Sequence, residues 1–341
     1  MFFALTEEQQ EFGAAVRDYL AERFDLAAVR DVVEAGPGDD GNPAALWTAA
    51  GEQGWTAVTV PEEHDGLGLG LVEAQVIARA LGAGVAPGPW RGTVLAADAI
   101  RLTGSDEQRA AWLPRLAAGE AVGAFTTRGS AADGLPVVEY GAIADVVVAP
   151  SGPDAPGLCL VTGASATPAG SYDGTTRLAT LAGGTTEPLP GASAGLRRQL
   201  TDRATVLVAA DLVGIAREAL TRTVAYDRDR EQFGVPVGSF QAVKHALADL
   251  HVGVTMAAHA VLYAAHAADT GADDAELAVA VAKAKASEVA LQATAAMIQY
   301  HGGIGYTWEH EAHFFYKRAR RLAGQYGDVA SQRERIAALT V

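Results

Sequence analysis

A turn between two long helical stretches carries the residues of this chain that are best suited to bind a phosphate. The segment runs from Arg228 to Gln241 and reads RDREQFGVPVGSFQ. An Arg and a Gln in such a turn can donate hydrogen bonds to phosphate oxygens, and the planar guanidinium of Arg230 does so in a fork geometry that Lys cannot match. The residues alone leave a second interpretation open, in which the segment is a capped helix–helix turn with solvated charges.

A second candidate segment lies near residue 300 and reads QYHGGIGY from Gln299 to Tyr306. Glycine after a helix is typical of a left-handed C-cap. The same glycines, Gly302 and Gly303, also let a cofactor approach the backbone closely, because they have no Cβ. Taken alone, this pattern favours the cap.

Hydrophobic periodicity predicts the elements that position these segments. Thr6 and Gln9 have the form of a capping box, and the apolar residues after them recur at helical spacing. The residues up to about 120 therefore indicate a helical domain. Its predicted helices cover residues 6–23, 43–53, 71–84 and about 105–116.

The composition changes at about residue 121 and again at about residue 195. Between these points, short β-branched runs such as 143–149 and 158–162 are separated by Gly, Pro and Ser, which predicts small antiparallel strands. After residue 195, three long helical stretches with short connections predict a bundle. The expected fold class is mainly α with a reduced β middle domain. The expected domains are 1–120 (helical), 121–195 (reduced, β-rich) and 196–341 (helical bundle).

Charge and cysteine content exclude several classes of protein. The chain of 341 residues has 26 Lys and Arg against 41 Asp and Glu, and its net charge of −15 argues against nucleic acid or an anionic membrane as its main partner. The single Cys159 cannot form an intramolecular disulfide or a thiolate metal site. We expect no signal peptide and no apolar run of the roughly 18 residues that span a bilayer. These features predict a soluble cytoplasmic protein.

The motifs in their order along the chain resemble the acyl-CoA dehydrogenase family, and the resemblance covers nearly the whole sequence. Members of this family are flavoproteins with an N-terminal helical domain, a middle β-barrel-like domain and a C-terminal four-helix bundle. The segments that carry the resemblance are LTEEQ at 5–9, GW at 54–55, VPEE at 60–63, GS at 104–105 with Gln108, LP at 113–114, the turn at 230–241 and QYHGG at 299–303.

The resemblance implies that FAD lies across a subunit boundary. In this family one subunit holds the flavin ring and supplies the catalytic Glu, while the bundle of its neighbour contacts the pyrophosphate and adenosine. The residues of this chain that match the neighbour's contribution are Arg230, Gln232, Phe233, Gln241, Gln299, Gly302 and Gly303.

The chain departs from the family at the residues that serve the flavin ring and the chemistry. Tyr326 occupies the expected position of the catalytic Glu, and tyrosine, with an ordinary pKa of about 10, is a poor base at neutral pH. The alternative Glu position, in residues 202–206, holds no Glu. The family's ring-binding loop reads FTTRGSAAD at 125–133, and its Trp-containing strand has no match between Trp112 and Trp308. No catalytic residue is therefore assigned to this chain.

The favoured hypothesis is a non-catalytic subunit of a heteromeric acyl-CoA dehydrogenase, inactive alone, that shares FAD with its partner. The resemblance implies an α2β2 assembly with a homologous catalytic subunit, an acyl-CoA substrate with a steroid side chain, and electron-transfer flavoprotein or a similar acceptor. Two alternatives stay open. One is a self-sufficient dehydrogenase with Asp328 or Asp211 as an unusual base, and the other is a flavin-free scaffold that stabilises a partner or binds acyl-CoA.

Two charged clusters receive no catalytic role. His310 and His313, with Glu309 and Glu311, have a spacing that permits a metal ligand pair on a helix, but we expect no metal. The basic run at 317–321 is typical of a solvated helix face, with a partner subunit or a CoA phosphate as the alternative contact.

Overall fold

The computed structural model describes residues 4–152 and 155–341. The chain forms two compact units. The first, which we call the bundle unit, comprises Met1–Leu26, Gln75–Ala86 and Thr205–Val341; the second, the sheet unit, comprises Ala27–Ala74 and Pro87–Ala204. The three-domain division at residues 120 and 195 stays a prediction.

The helices confirm most of the sequence predictions. Capping boxes start two of them: Thr6 accepts from the backbone N–H of Gln9 at 3.2 Å, and Ser105 accepts from that of Gln108 at 3.3 Å. The helices over 26–35 and 90–103 were not predicted. The helices are α1 Glu7–Arg23, α2 Leu26–Ala35, α3 Ala44–Glu52, α4 Leu71–Ala83, α5 Trp90–Thr103, α6 Asp106–Ala117, α7 Ala194–Asp229, α8 Gln241–Thr270, α9 Ala275–Tyr300, α10 Ala312–Ala323 and α11 Val329–Thr340.

Two small sheets form the β part of the sheet unit. One has the strand order β1-β3-β4-β7 and the other β2-β6-β5. The prediction of purely antiparallel strands is wrong at one edge, because β1 pairs with β3 in parallel, Gly123 opposite Val146. The strands are β1 Gly123–Phe125, β2 Leu135–Glu139, β3 Val146–Pro150, β4 Leu158–Thr162, β5 Ser165–Ala169, β6 Leu178–Ala182 and β7 Thr185–Pro188.

Small residues allow the helices of the bundle unit to approach closely. A Cβ on Gly214 of α7 would overlap the carbonyl oxygen of Arg79 on α4, and one on Gly82 of α4 would overlap that of Asp211. α9 packs against α8, α10 and α11, and its buried face consists mainly of alanines. The predicted bundle is thus observed, with α7, α8 and α9 as its long helices.

One helix bears on the expectation about membranes. Among the described residues, α8 is long and apolar enough to cross a bilayer, with a mean hydropathy of 1.3 over its most apolar window. Alanine, rather than large apolar residues, supplies much of this value. A single such helix is weak support for a membrane span, since core helices pass the same test.

Candidate cofactor-binding site

The turn after α7 is a tight hairpin. Two short strands, β8 Glu231–Gln232 and β9 Val235–Pro236, pair antiparallel, and the two residues between them both have positive φ, 56° at Phe233 and 76° at Gly234. This is the backbone of a type I′ two-residue turn, in which glycine is common and phenylalanine is not. The N–H of Val237 donates to the carbonyl of Arg230 at 2.8 Å and closes the hairpin.

The predicted cofactor-binding side chains of this turn point to solvent. Phe233 is 95% exposed, and its only ring contact among the described residues is an edge-to-face one with Phe240 at 6.4 Å. Arg230 and Gln241 are exposed, and within the described residues their side chains form no hydrogen bond or ion pair. Gln232 donates only to the carbonyl of Glu231, at 2.7 Å. The turn therefore offers a guanidinium, two amides and an aromatic ring to a ligand.

The end of α9 lies beside the end of α7. Tyr226 of α7 stacks on His301, the residue after α9, with ring centroids 4.4 Å apart. The Nδ1 of His301 lies 2.7 Å from the carbonyl of Met297, so this nitrogen is the donor. Burial lowers the pKa of His301, which favours the neutral form of the ring. The stack therefore joins the end of α7, two residues before the segment that begins at Arg228, to the segment from Gln299 to Tyr306.

Beyond this stack, Gln299, Gly302 and Gly303 are all exposed. Gly302 has a φ of 63°, as a left-handed cap requires, and a Cβ on either glycine would meet nothing within 4 Å. The cap that the glycines predicted is thus present, and the open space in front of it is compatible with a ligand at the backbone.

Asp227 is an unusual group beneath the hairpin. It is 1% exposed, and both of its carboxylate oxygens are without a hydrogen-bond partner among the described residues. Gly238 packs against its backbone carbonyl, where a Cβ would lie 3.0 Å away. Burial raises the pKa of Asp227 to about 6.

The turn that carries Tyr326 is held from below by Lys283. This lysine of α9 is completely buried, and its Nζ donates to the carbonyls of Ala323 and Gly327, at 3.0 and 3.1 Å, and to the hydroxyl of Ser287, at 3.0 Å. All three donors of the ammonium are thus used. Burial lowers the pKa of Lys283 to about 8.

The backbone of the same turn is otherwise well satisfied. Tyr326 and Gly327 have positive φ, 52° and 94°. The side-chain amide of Gln332 donates to the Tyr326 carbonyl at 2.6 Å. Asp328 caps α11, where it accepts from the N–H and the hydroxyl of Ser331 at 2.9 and 2.8 Å. These bonds lower the pKa of Asp328.

The other charged groups considered from sequence are engaged in structural contacts. Asp211 and Arg318 form a buried, bidentate ion pair, with Nη2–Oδ2 at 2.8 Å. Arg318 therefore lies in the core and not on a solvated helix face. His310 accepts from the N–H of Ala312, and His313 stacks on Trp308 at 4.3 Å. No group of three metal-ligating side chains occurs among the residues that the structure describes.

Family models match both ends of the chain. The model of the acyl-CoA dehydrogenase N-terminal domain matches residues 6–120, and that of the C-terminal domain matches residues 198–340. Acyl-CoA dehydrogenase IpdE2 of Mycobacterium tuberculosis is 38% identical over 322 residues, which are 93% of this chain and 92% of that protein. The chain belongs to the acyl-CoA dehydrogenase family. Its IpdE2 relative from Mycolicibacterium smegmatis is 35% identical over 98% of this chain and 99% of its own length.

Solved acyl-CoA dehydrogenases share the fold. A chain of the Tcur3481-Tcur3483 steroid ACAD (acyl-CoA dehydrogenase) has a TM-score of 0.86 and 28% sequence identity to this chain. The match covers 98% of this chain and 97% of that one. The ChsE4-ChsE5 complex of Mycobacterium tuberculosis has a TM-score of 0.90 at 25% identity, covering 99% and 98%. Membership of the family indicates FAD as the cofactor.

Sequence reasoning did not find Lys283, Asp227 or the stack of Tyr226 on His301. A lysine inside an alanine-rich helix with Ser287 one turn later was the available signal for the first. The other two depend on contacts between the ends of α7, α9 and the hairpin, which no local pattern contains.

Proposed function

We propose that this chain is the non-catalytic subunit of a heteromeric, FAD-dependent acyl-CoA dehydrogenase. It contributes contacts to the adenosine and pyrophosphate of FAD, while a homologous partner contributes the catalytic Glu. The observation that carries this proposal is the contrast between two turns of one unit. The hairpin at 230–236 presents uncommitted donors, whereas the turn at the expected base position presents Tyr326 and no free carboxylate.

The donor set of the bundle unit fits the cofactor. Arg230 suits a phosphate because its fork of N–H groups matches two phosphate oxygens, and the amides of Gln232, Gln241 and Gln299 suit phosphate or ribose oxygens. Phe233 offers a flat apolar face, and Gly302 and Gly303 leave room for a close approach. When bound, FAD accepts the hydride from the β-carbon of the acyl thioester in this family.

The sheet unit offers little to a flavin ring. In the loop at 126–134, Thr126 accepts from the N–H of Arg128 at 3.1 Å, and the hydroxyl of Ser130 donates to Asp133 at 2.7 Å. These polar side chains thus form hydrogen bonds within the loop itself. The proposal therefore places the ring and the proton abstraction in the partner subunit.

The two carboxylates considered as unusual bases are poorly suited to that role. Asp328 is bound by the cap of α11, and the cap holds its pKa below the ordinary value. Asp211 has both oxygens bound by Arg318. A general base needs an oxygen within hydrogen-bond reach of the proton that it removes. The self-sufficient dehydrogenase is therefore the weaker proposal.

An exposed apolar face of α8 supports an assembly with a second subunit. Val252, Met256 and Tyr263 are exposed on this helix, and Val281 is exposed on α9. Apolar side chains in such numbers on a helical bundle are typical of a subunit interface. We propose a homologous acyl-CoA dehydrogenase subunit as the occupant, in an α2β2 complex located in the cytoplasm.

The substrate class comes from the relatives. One solved relative is a steroid ACAD, and we propose for the complex the α,β-desaturation of an acyl-CoA thioester with a steroid side chain. Electron-transfer flavoprotein or a similar acceptor is the proposed oxidant of the reduced flavin.

Co-expression tests the proposal. The chain alone is expected to purify colourless and inactive, whereas the chain with a Glu-bearing partner is expected to show flavin absorbance and turnover. Arg230→Gln should weaken FAD retention in the complex about tenfold or more, since a charge-assisted hydrogen bond contributes roughly 1.5–3 kcal/mol. Arg228→Gln, two residues earlier and also exposed, is the matched control and should retain FAD.

Three results would contradict the proposal. Stoichiometric FAD on the isolated chain would show that it holds the whole cofactor. Turnover by the isolated chain that Asp328→Asn or Asp211→Asn abolishes would support a self-sufficient enzyme. Unchanged FAD content in the Arg230→Gln complex would favour the flavin-free scaffold.

A further inference from the structure

A cavity of about 540 Å³ in the bundle unit shares no lining residue with either turn described above. Helices α1, α4, α7 and α8 line it. Its volume is in the range of sites that hold small molecules. Its charged and ionisable lining residues are Arg17, Arg79, Arg217, Glu218 and His259.

The close crossing of α4 and α7 assembles the basic part of this cavity. Because Gly214 has no side chain, α7 lies directly against the backbone of Arg79. Arg217 follows Gly214 by about one helical turn and therefore lies on the same side of α7. Arg17 enters from α1. All three guanidinium groups are close enough that the charges of Arg217 and Arg17 act on Arg79.

The positive charge of this cavity is not balanced within the described residues. Glu218 is the only carboxylate among the lining residues, and it is already paired with Arg222 at 2.7 Å. No carboxylate in residues 4–152 or 155–341 forms an ion pair with Arg17, Arg79 or Arg217. Burial, together with the charges of Arg217 and Arg17, lowers the pKa of Arg79 to about 10. In a chain with a net charge of −15, such a cluster is unusual.

We propose that this cavity binds the phosphate group of a small phosphorylated molecule, at a site separate from the FAD contacts. Guanidinium groups bind phosphate through paired hydrogen bonds, and a bound anion would offset the repulsion among the three arginines. Thr255 adds a hydroxyl group to the lining, while Leu5 and Leu262 offer an apolar wall to the rest of the ligand.

Isothermal titration calorimetry on the full chain tests this proposal with two probes, inorganic phosphate and AMP, at constant ionic strength. The wild type is expected to bind, and Arg79→Gln and Arg217→Gln should each weaken binding about tenfold or more through loss of a charge-assisted bond. Arg30→Gln, which removes the same charge from α2 outside the cavity, is the matched control and should bind as the wild type does. Tighter binding of AMP than of phosphate would assign the site to a nucleotide, and equal binding would assign it to the phosphate group alone.

Thermal unfolding separates loss of the site from loss of the fold. Without phosphate, Arg79→Gln should unfold at the same temperature as the wild type or higher, since it relieves repulsion between like charges. Phosphate should raise the unfolding temperature of the wild type and not of this variant. Arg217 is exposed, so Arg217→Gln gives the same information if the first variant does not fold. The proposal fails if neither probe binds the wild type, or if both variants bind as tightly as the wild type.

Discussion

The turn after α7 and the turn after α10 both contain residues with positive φ. They differ in whether their polar groups already have hydrogen-bond partners within the chain. In the hairpin after α7, the side chains of Arg230 and Gln241 form no hydrogen bond or ion pair within the described residues, and the ring of Phe233 is exposed to solvent. In the turn after α10, Lys283 and Gln332 bind three backbone carbonyls between them. The first turn is open to a ligand from outside the chain, whereas the second is satisfied by the chain itself. The second turn is therefore structural, and the first is the one for which we propose a binding role.

The largest stability effect is expected at the closed turn. Lys283→Met leaves the carbonyls of Ala323 and Gly327 and the hydroxyl of Ser287 without a donor, and should lower the free energy of unfolding by about 3 kcal/mol. Chemical denaturation measures this change. The matched control is Lys285→Met, two residues along α9, where the lysine forms a half-exposed ion pair with Glu288. This variant should change the free energy of unfolding by less than about 0.5 kcal/mol. Equal effects of the two variants would remove the distinction between the turns.

The pH dependence of stability gives a sharper test of the same lysine. The pKa of Lys283 is lowered from its ordinary value of 10.5 to about 8 in the folded chain, so the unfolded chain binds more protons between these values. The contribution of this group to the free energy of unfolding should therefore rise as pH increases from about 8 to 10.5, by roughly 1–3 kcal/mol. The difference between wild type and Lys283→Met, measured across this range, isolates the contribution. A difference that is flat or falls with pH would contradict the lowered pKa.

Asp227, beneath the hairpin after α7, should have a smaller effect on stability, with a pH dependence opposite to that of Lys283. Burial raises the pKa of Asp227 from 3.8 to about 6, so the folded chain binds more protons between these values and loses stability as pH rises through them. Asp227→Asn removes this cost and should raise the free energy of unfolding at pH 7 by about 1–2 kcal/mol. The gain should vanish below about pH 4, where the carboxyl of the wild type is protonated in both states. A loss of stability at pH 7 would show that the carboxylate has a partner.

Local sequence patterns predicted where capped helices begin, but they did not predict a helix that is buried in the core. The capping box at Thr6 was visible in sequence because a cap residue acts on a neighbour three positions away. Helix α5 was missed because ten of its fourteen residues are buried and none is exposed, so it has no solvated face to create a helical period. The parallel pairing of β1 with β3 was missed because alternation along a strand does not reveal the direction of its neighbour.

The candidate site shows the same division. The residues from Arg230 to Gln241 were found because Gly, Pro and Arg together mark a turn with donors, and their role came from the family resemblance. Lys283 was not found, because its two carbonyl partners lie 40 and 44 positions later in the chain. The burial of Arg318 escaped notice for the same reason, since its partner Asp211 is 107 positions away.

The exposed ring of Phe233 has a consequence for the cell as well as for the cofactor. Tyr306 and Trp308 are also exposed, on the segment that follows α9, so an unassembled chain displays several aromatic rings to water. Exposed apolar surface of this kind favours aggregation and attracts chaperones and proteases. Chain produced in excess of a partner that covers these rings would therefore be degraded. Balanced synthesis of the two would protect it.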